Sequence, residues 1–211
     1  MINANKVFQS LISQTTIPMG LFRYIDDQKV PIDASDLLRW EWVLAVSALD
    51  KYIHDIVRIG MVEEFLGIRP RTKKFNTFRI DMSTYTNLMH SQSPEVLFES
   101  EIKRQHSFLA FQHPEKLIDA LSLIWSEEHK WEAISRNMTS TISVADLKTK
   151  LNNIVIRRDQ IVHEGDCFIA SLPLQQQQIS EADVQDVIDF ISEFVQSIQI
   201  CVKLTPQSNS G

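Results

Sequence analysis

The sequence predicts an all-α protein, a bundle of five or six helices with a long central helix. Apolar residues recur every three or four positions through several long segments. The 211 residues include only 5 glycines and 7 prolines, which favours long regular elements over many tight turns. No set of alternating strands is present, although the segment 75–82, FNTFRIDM, is compatible with one short strand.

The strongest periodic segment runs from Ser35 to Gly67 and predicts the central helix. Asp33 or Ser35 is suited to cap its start, and Gly67 with Pro70 ends it. A helix of about 30 residues is about 45 Å long. Because apolar residues occur on more than one side of it, we expect it to contact several neighbours.

The residues around this helix are expected to complete a single domain over residues 1–204. Residues 1–32 are predicted to be an N-terminal extension, residues 68–92 a basic connector and residues 205–211 a flexible tail. Later helices are predicted to begin at a capping serine or at a proline in the first turn. Their starts are Ser93 with Pro94, Pro114, Ser143 with Asp146, and Ser180 with Asp183. Gly165 ends the helix that Ser143 begins.

The composition limits the classes of function. A net charge of −6 argues against a protein that coats nucleic acid, but it allows a local basic patch that touches RNA. Neither Cys167 nor Cys201 has the spacing of a zinc site, and two cysteines without such a pattern predict a reduced, cytoplasmic protein. The start of the chain does not resemble a signal peptide, and no apolar run approaches the roughly 18 residues of a membrane span.

The segment 156–166, IRRDQIVHEGD, concentrates charge at the end of a predicted amphipathic helix. Arg158 falls within the apolar series of that helix, so its charge needs compensation. Asp159 and His163 are four residues apart and share a flank. Arg158 and His163 lie about 140° apart around the axis and about 7.5 Å apart along it. Two such helices at a two-fold axis would face their charged ends across one cleft.

Four blocks of the chain, in this order, resemble the RiboL-PSP-HEPN branch of the HEPN superfamily. They are LLRWEWVLAVSALDKYIHDIV, SFLAFQHPEKLIDALSLIW, LNNIVIRRDQIVHEGD and ADVQDVIDFISEFVQSI. The third block contains the family's arginine and histidine separated by four residues, Arg158 and His163. The residue after the arginine is often asparagine in the family, whereas here it is Asp159. Arg157 also fits, at the longer spacing that the family tolerates, and we prefer Arg158 because it lies on the apolar stripe.

The resemblance implies a HEPN-like bundle and a homodimer that cleaves RNA without a metal or other cofactor. The products would carry a 2′,3′-cyclic phosphate, and the role would be that of a toxin or an anti-phage defence component. His163 is the predicted general base or acid, Arg158 the phosphate clamp and Asp159 the group that orients His163. Additional RNA contacts are predicted at Arg157, Arg71, Lys73 and Lys74. Besides RNA, an antitoxin or a nucleotidyltransferase is a predicted partner.

Other interpretations remain open. The charged helix end is also typical of a solvated surface in which the arginine pairs with Glu164 or Asp166. A HEPN module without activity would only dimerise or bind a partner, and a small-molecule-binding bundle would need a closed apolar pocket away from the motif. Asp50 and His54 share a face of the long helix, but a third metal ligand at a suitable spacing is missing. His113 shows no partner pattern.

Overall fold

The computed structural model describes residues 2–168 and 175–203, and this part of the chain is all-helical, as predicted. Eight α-helices occur in these ranges, more than the five or six expected. They are α1 (Ile2–Asp27), α2 (Ser35–Phe65), α3 (Met82–His90), α4 (Pro94–His106), α5 (Pro114–Leu121), α6 (Lys130–Asn137), α7 (Val144–Glu164) and α8 (Glu181–Lys203). The segment predicted as a possible strand forms a short 3-10 turn, Phe75–Thr77, and then runs into α3. No helix within the described ranges is long and apolar enough to cross a membrane.

Helix α2 is the centre of the bundle. It packs against α1, α4, α5, α7 and α8, and it has buried residues on several sides along its whole length. Asp33 contributes to its start, because its Oδ1 accepts a hydrogen bond from the Ser35 amide at 2.9 Å. The chain leaves the helix through Gly67, whose φ of +73° is readily available only to glycine.

Helix α1 occupies most of the segment predicted only as an extension. It packs against α2, where the ring of Phe8 meets that of Tyr52 edge-on at 5.6 Å. The sequence conceals this helix because Thr15 and Thr16 have low helix propensity and Pro18 lacks an amide hydrogen. Burial of its apolar side against α2 outweighs these local costs.

Helix α7, which carries the charged segment, and helix α8 after it have the capping groups that the sequence predicts. The Ser143 hydroxyl accepts a hydrogen bond from the Asp146 amide at 3.1 Å at the start of α7. Gly165, at φ +64°, ends this helix in the left-handed conformation. Ser180 and Asp183 bond each other's amides before α8. The predicted flexible tail, residues 205–211, lies outside the described residues.

Candidate active site at the end of helix α7

The end of α7 is fixed by a buried carboxylate. Asp166, directly after the helix cap, is fully buried and adopts φ +57°. Its Oδ2 accepts hydrogen bonds from Arg39 Nε at 2.9 Å and from Arg157 Nη2 at 3.2 Å. Asp166, Arg39 and Arg157 form a cluster that we call the Asp166 corner. Arg39 also donates to the Gln177 carbonyl at 2.7 Å, which connects the loop before α8 to this corner. The last turn of α7 is therefore held against α2 and this loop.

Arg157 belongs to this structural corner. Besides Asp166, it donates to the Gln178 carbonyl at 2.7 Å, and its guanidinium lies 5.1 Å from the centroid of the Trp42 ring. Trp42 in turn donates to the Ile154 carbonyl at 3.0 Å. An RNA contact by Arg157 stays a prediction, and it would require the guanidinium to leave these partners.

Arg158 reaches the surface although its position lies in the apolar series of α7. Its side chain is 23% exposed, and Nη1 donates to Asp159 Oδ1 at 2.9 Å. Its Nε is buried and has no hydrogen-bond partner among the described residues. The charge is therefore compensated by the next residue in the sequence, whereas Asp166 pairs with Arg157 instead.

Asp159 also lies beside a histidine from another part of the chain. Its Oδ2 is 3.8 Å from Nε2 of His113, the residue that precedes α5. Both side chains are 35% exposed, so solvent reaches the pair. The sequence indicates only that His113 precedes a helix, because Pro114 is typical of a helix start. It does not show which residues lie next to the His113 ring. Only the tertiary structure brings His113 to Asp159.

His163 is exposed in the last turn of α7. Its ring makes no hydrogen bond or ion pair with the described residues. Within one chain, the Asp159 carboxylate contacts Arg158 and approaches His113 rather than His163. The orientation of His163 by Asp159, and the meeting of two motifs across a two-fold axis, therefore stay predictions.

The loop that carries His113 is held by Asp50 and His54, the two residues considered above as metal ligands. Asp50 Oδ1 accepts a hydrogen bond from the Phe111 amide at 2.6 Å, and His54 Nε2 lies 3.1 Å from the Leu109 carbonyl oxygen. Asp55 on the same helix pairs instead with basic side chains of α2. Within residues 2–168 and 175–203, no group of three or more histidine, cysteine or acidic side chains is placed to hold a metal ion.

The basic connector contacts α5, the helix that begins directly after His113. Lys74 forms an ion pair with Asp119, which follows His113 by six residues, or about 9 Å along the axis of α5. Arg71 donates to the Glu64 carbonyl at 3.3 Å. Lys73 is exposed and forms no ion pair within the part of the chain that the structure describes. RNA contacts by these three residues stay predictions.

A separate apolar pocket lies near the opposite end of α2. It has a volume of 540 Å³, and its walls include Phe65, Phe75, Phe78 and Phe98. Tyr85 on its rim is 48% exposed, so the pocket is open rather than closed. This pocket is therefore not the closed pocket that a small-molecule-binding bundle requires.

Comparison with known proteins adds one match. The family model for RiboL-PSP-HEPN matches residues 20–204. The match covers most of the chain and includes α2, α7 and the charged segment between Arg157 and Asp166. Neither the comparison with curated proteins nor that with solved structures gave a match.

Proposed function

The chain belongs to the RiboL-PSP-HEPN family, and on this premise we propose that it is a metal-independent endoribonuclease. Family membership by itself supports the coarser statement of a ribonuclease or a nucleotide-binding module. Arg158, Asp159 and His163 are the proposed catalytic residues. A homodimer, a role as a toxin or in anti-phage defence, and a cytoplasmic location are parts of the same proposal.

The geometry of Arg158 carries this proposal. Its guanidinium is held at the surface by one adjacent carboxylate, and the exposed His163 ring lies little more than one helical turn further along the same helix. A planar guanidinium binds phosphate oxygens through two parallel hydrogen bonds. Since Asp159 is the one ion-pair partner of this guanidinium among the described residues, the exposed part of the side chain is left for an anion. Phosphate and imidazole would then meet at the end of α7.

RNA supplies its own nucleophile to such a site. A base removes the proton of the 2′-hydroxyl, the 2′ oxygen bonds to phosphorus, and the bond between phosphorus and the 5′ oxygen breaks. Histidine is suited to move these protons because it titrates near neutral pH. The guanidinium stabilises the negative charge that develops on the phosphorane. DNA lacks the 2′-hydroxyl and would not be cleaved.

Exposed apolar side chains around the motif support pairing of two chains. Ile156 and Val162 on α7 are 46% and 48% exposed, and Phe168 just beyond it is 53% exposed. A two-fold interface would bury these side chains and bring a second Arg158 and a second His163 to the same cleft.

The proposal is tested by incubating the purified protein with tRNA and total RNA in the presence of EDTA. We expect fragments that end in a 2′,3′-cyclic phosphate. His163→Ala should abolish cleavage and leave the dimer intact. His90→Ala is the matched control, because His90 is also an exposed histidine in the last turn of a helix. Unchanged cleavage by His163→Ala would show that His163 has no catalytic role.

A module that only dimerises or binds a partner is the second candidate. The ion pair between Arg158 and Asp159 favours it, because an acid placed where the family often has asparagine adds negative charge next to the phosphate site. A nucleotidyltransferase or another defence protein is the proposed partner in this case, whereas an antitoxin is the proposed partner of the active enzyme. Expression of the intact chain would then leave growth unchanged, and no RNA fragments would accumulate.

A further inference from the structure

We propose that His113 is a catalytic histidine of this ribonuclease, supplied by the same chain as Arg158 and His163. This proposal rests on the proposed function. The first basis is position: Oδ1 of Asp159 accepts from Arg158 at 2.9 Å, and Oδ2 of Asp159 is 3.8 Å from His113 Nε2. His163 follows Asp159 by one helical turn. One carboxylate thus joins the guanidinium of Arg158 to the imidazole of His113, and His163 lies one helical turn further along the same helix.

The second basis is that the backbone holds His113 in place while its ring remains available. His113 caps α5 in an extended conformation, and its side chain makes no capping hydrogen bond. The amide of Phe111, two residues earlier, is bonded to Asp50 of α2, and Pro114 fixes φ in the first turn of α5. Such support on both sides is what a catalytic side chain requires.

The third basis is room for a substrate beside the ring. A groove of 680 Å³ runs from His113 between the start of α5 and the first half of α7. This volume is in the range of sites for small ligands, ~300–1,000 Å³. The two lysines on its walls, Lys116 and Lys148, outnumber the one acidic residue there, Glu115. Lys148 Nζ lies 5.4 Å from the centroid of the Trp131 ring. A single RNA strand lying in this groove would bring a phosphate next to His113, whose neighbour Asp159 contacts Arg158.

Each imidazole transfers one proton: His113 accepts one and His163 donates one. When Asp159 accepts the Nε2 hydrogen of His113, the lone pair remains on Nδ1, so His113 acts as the base. Nδ1 takes the proton of the 2′-hydroxyl, and the 2′ oxygen attacks phosphorus. The bond to the 5′ oxygen breaks, and that oxygen receives a proton from the protonated ring of His163. The distance of 3.8 Å must shorten when substrate binds, as is common in sites without substrate.

His113→Gln tests this role, with His129→Gln as the matched control. His129 also precedes a helix of eight residues and makes no side-chain capping bond. We expect His113→Gln to lower the cleavage rate by about 100-fold or more, the usual contribution of a general base, and His129→Gln to leave it unchanged. The limb of the pH profile below the optimum should disappear in His113→Gln, which a loss of structure alone would not produce.

A substrate with sulfur in place of the bridging 5′ oxygen separates the two histidines. Sulfur leaves without protonation, so His163→Ala should recover activity on this substrate and His113→Gln should not. Added imidazole should restore cleavage by His113→Ala, which provides a second variant if the glutamine variant is unstable. Parental cleavage by His113→Gln, or its recovery on the sulfur substrate, would overturn the role of His113 alone. A parental protein that cleaves no RNA would overturn both proposals.

Discussion

Replacing Asp166 with asparagine removes the buried carboxylate that pairs with both Arg39 and Arg157 and holds the end of α7. Asparagine keeps the size of the side chain and tolerates the left-handed conformation of this residue, φ +57°. The substitution therefore changes little besides the charge. It leaves Arg39, which is 5% exposed, and Arg157 without their shared acidic partner.

Breaking a buried ion pair by removing one partner costs about 3–5 kcal/mol of stability. The lower end applies here for two reasons. Oδ1 of Asp166 has no partner among the described residues, and Arg39 keeps bonds to the Ser35 hydroxyl and the Gln177 carbonyl. We therefore expect Asp166→Asn to lower the free energy of unfolding by about 3 kcal/mol. For a chain of this size, that corresponds to a fall in Tm of about 6–12 °C.

Urea denaturation followed by circular dichroism measures this change, and Asp36→Asn is the control. Asp36 contacts the same guanidinium at 3.3 Å, but its side chain is 79% exposed, so its replacement should cost no more than about 1 kcal/mol. RNA cleavage should decrease in Asp166→Asn, because the turn that carries His163 loses the ion pairs of Asp166 with Arg39 and Arg157. Equal stability of the two variants would refute the view that a buried charge network positions the site.

Three further predictions concern stability and use the same measurement. Gly60→Ala should lower the free energy of unfolding by about 1–3 kcal/mol, because the new Cβ would lie 2.6 Å from Ile124 Cγ2. Gly20→Ala, the control, has open space around the new Cβ and should raise the free energy of unfolding by about 0.5–1 kcal/mol. Gly165→Ala should lower the free energy of unfolding by about 1–2 kcal/mol because of its positive φ. A clash does not contribute, since the nearest atom to the new Cβ is 3.8 Å away. An unchanged denaturation midpoint would contradict this expectation. Burial, aided by the nearby His54, lowers the pKa of His106 from 6.5 to about 4. The folded state thus disfavours the charged ring. The free energy of unfolding should therefore fall by at most about 3 kcal/mol as the pH drops from 6.5 towards 4. His106→Phe should lack this part of the fall.

The fold class and the helices around the motif could be predicted because their signals are local. Helical periodicity, Ser143 at the start of α7 and Gly165 at its end all act within a few residues, and the structure confirms them. Helix α1 was not predicted, because the threonines and Pro18 within it weaken the same local signals. Its stability comes from packing against α2, which no short segment reveals.

In the candidate site, the sequence predicts that Arg158, Asp159 and His163 share the last turns of one helix, since helical geometry fixes these neighbours once the helix is known. Three features depend on the packing of distant segments: Arg157 pairs with Asp166, Arg158 stays at the surface, and His113 approaches Asp159 across 46 residues of chain. Such pairings depend on how distant helices pack against α2. Contacts between residues far apart in a single sequence leave no periodic pattern from which they can be predicted.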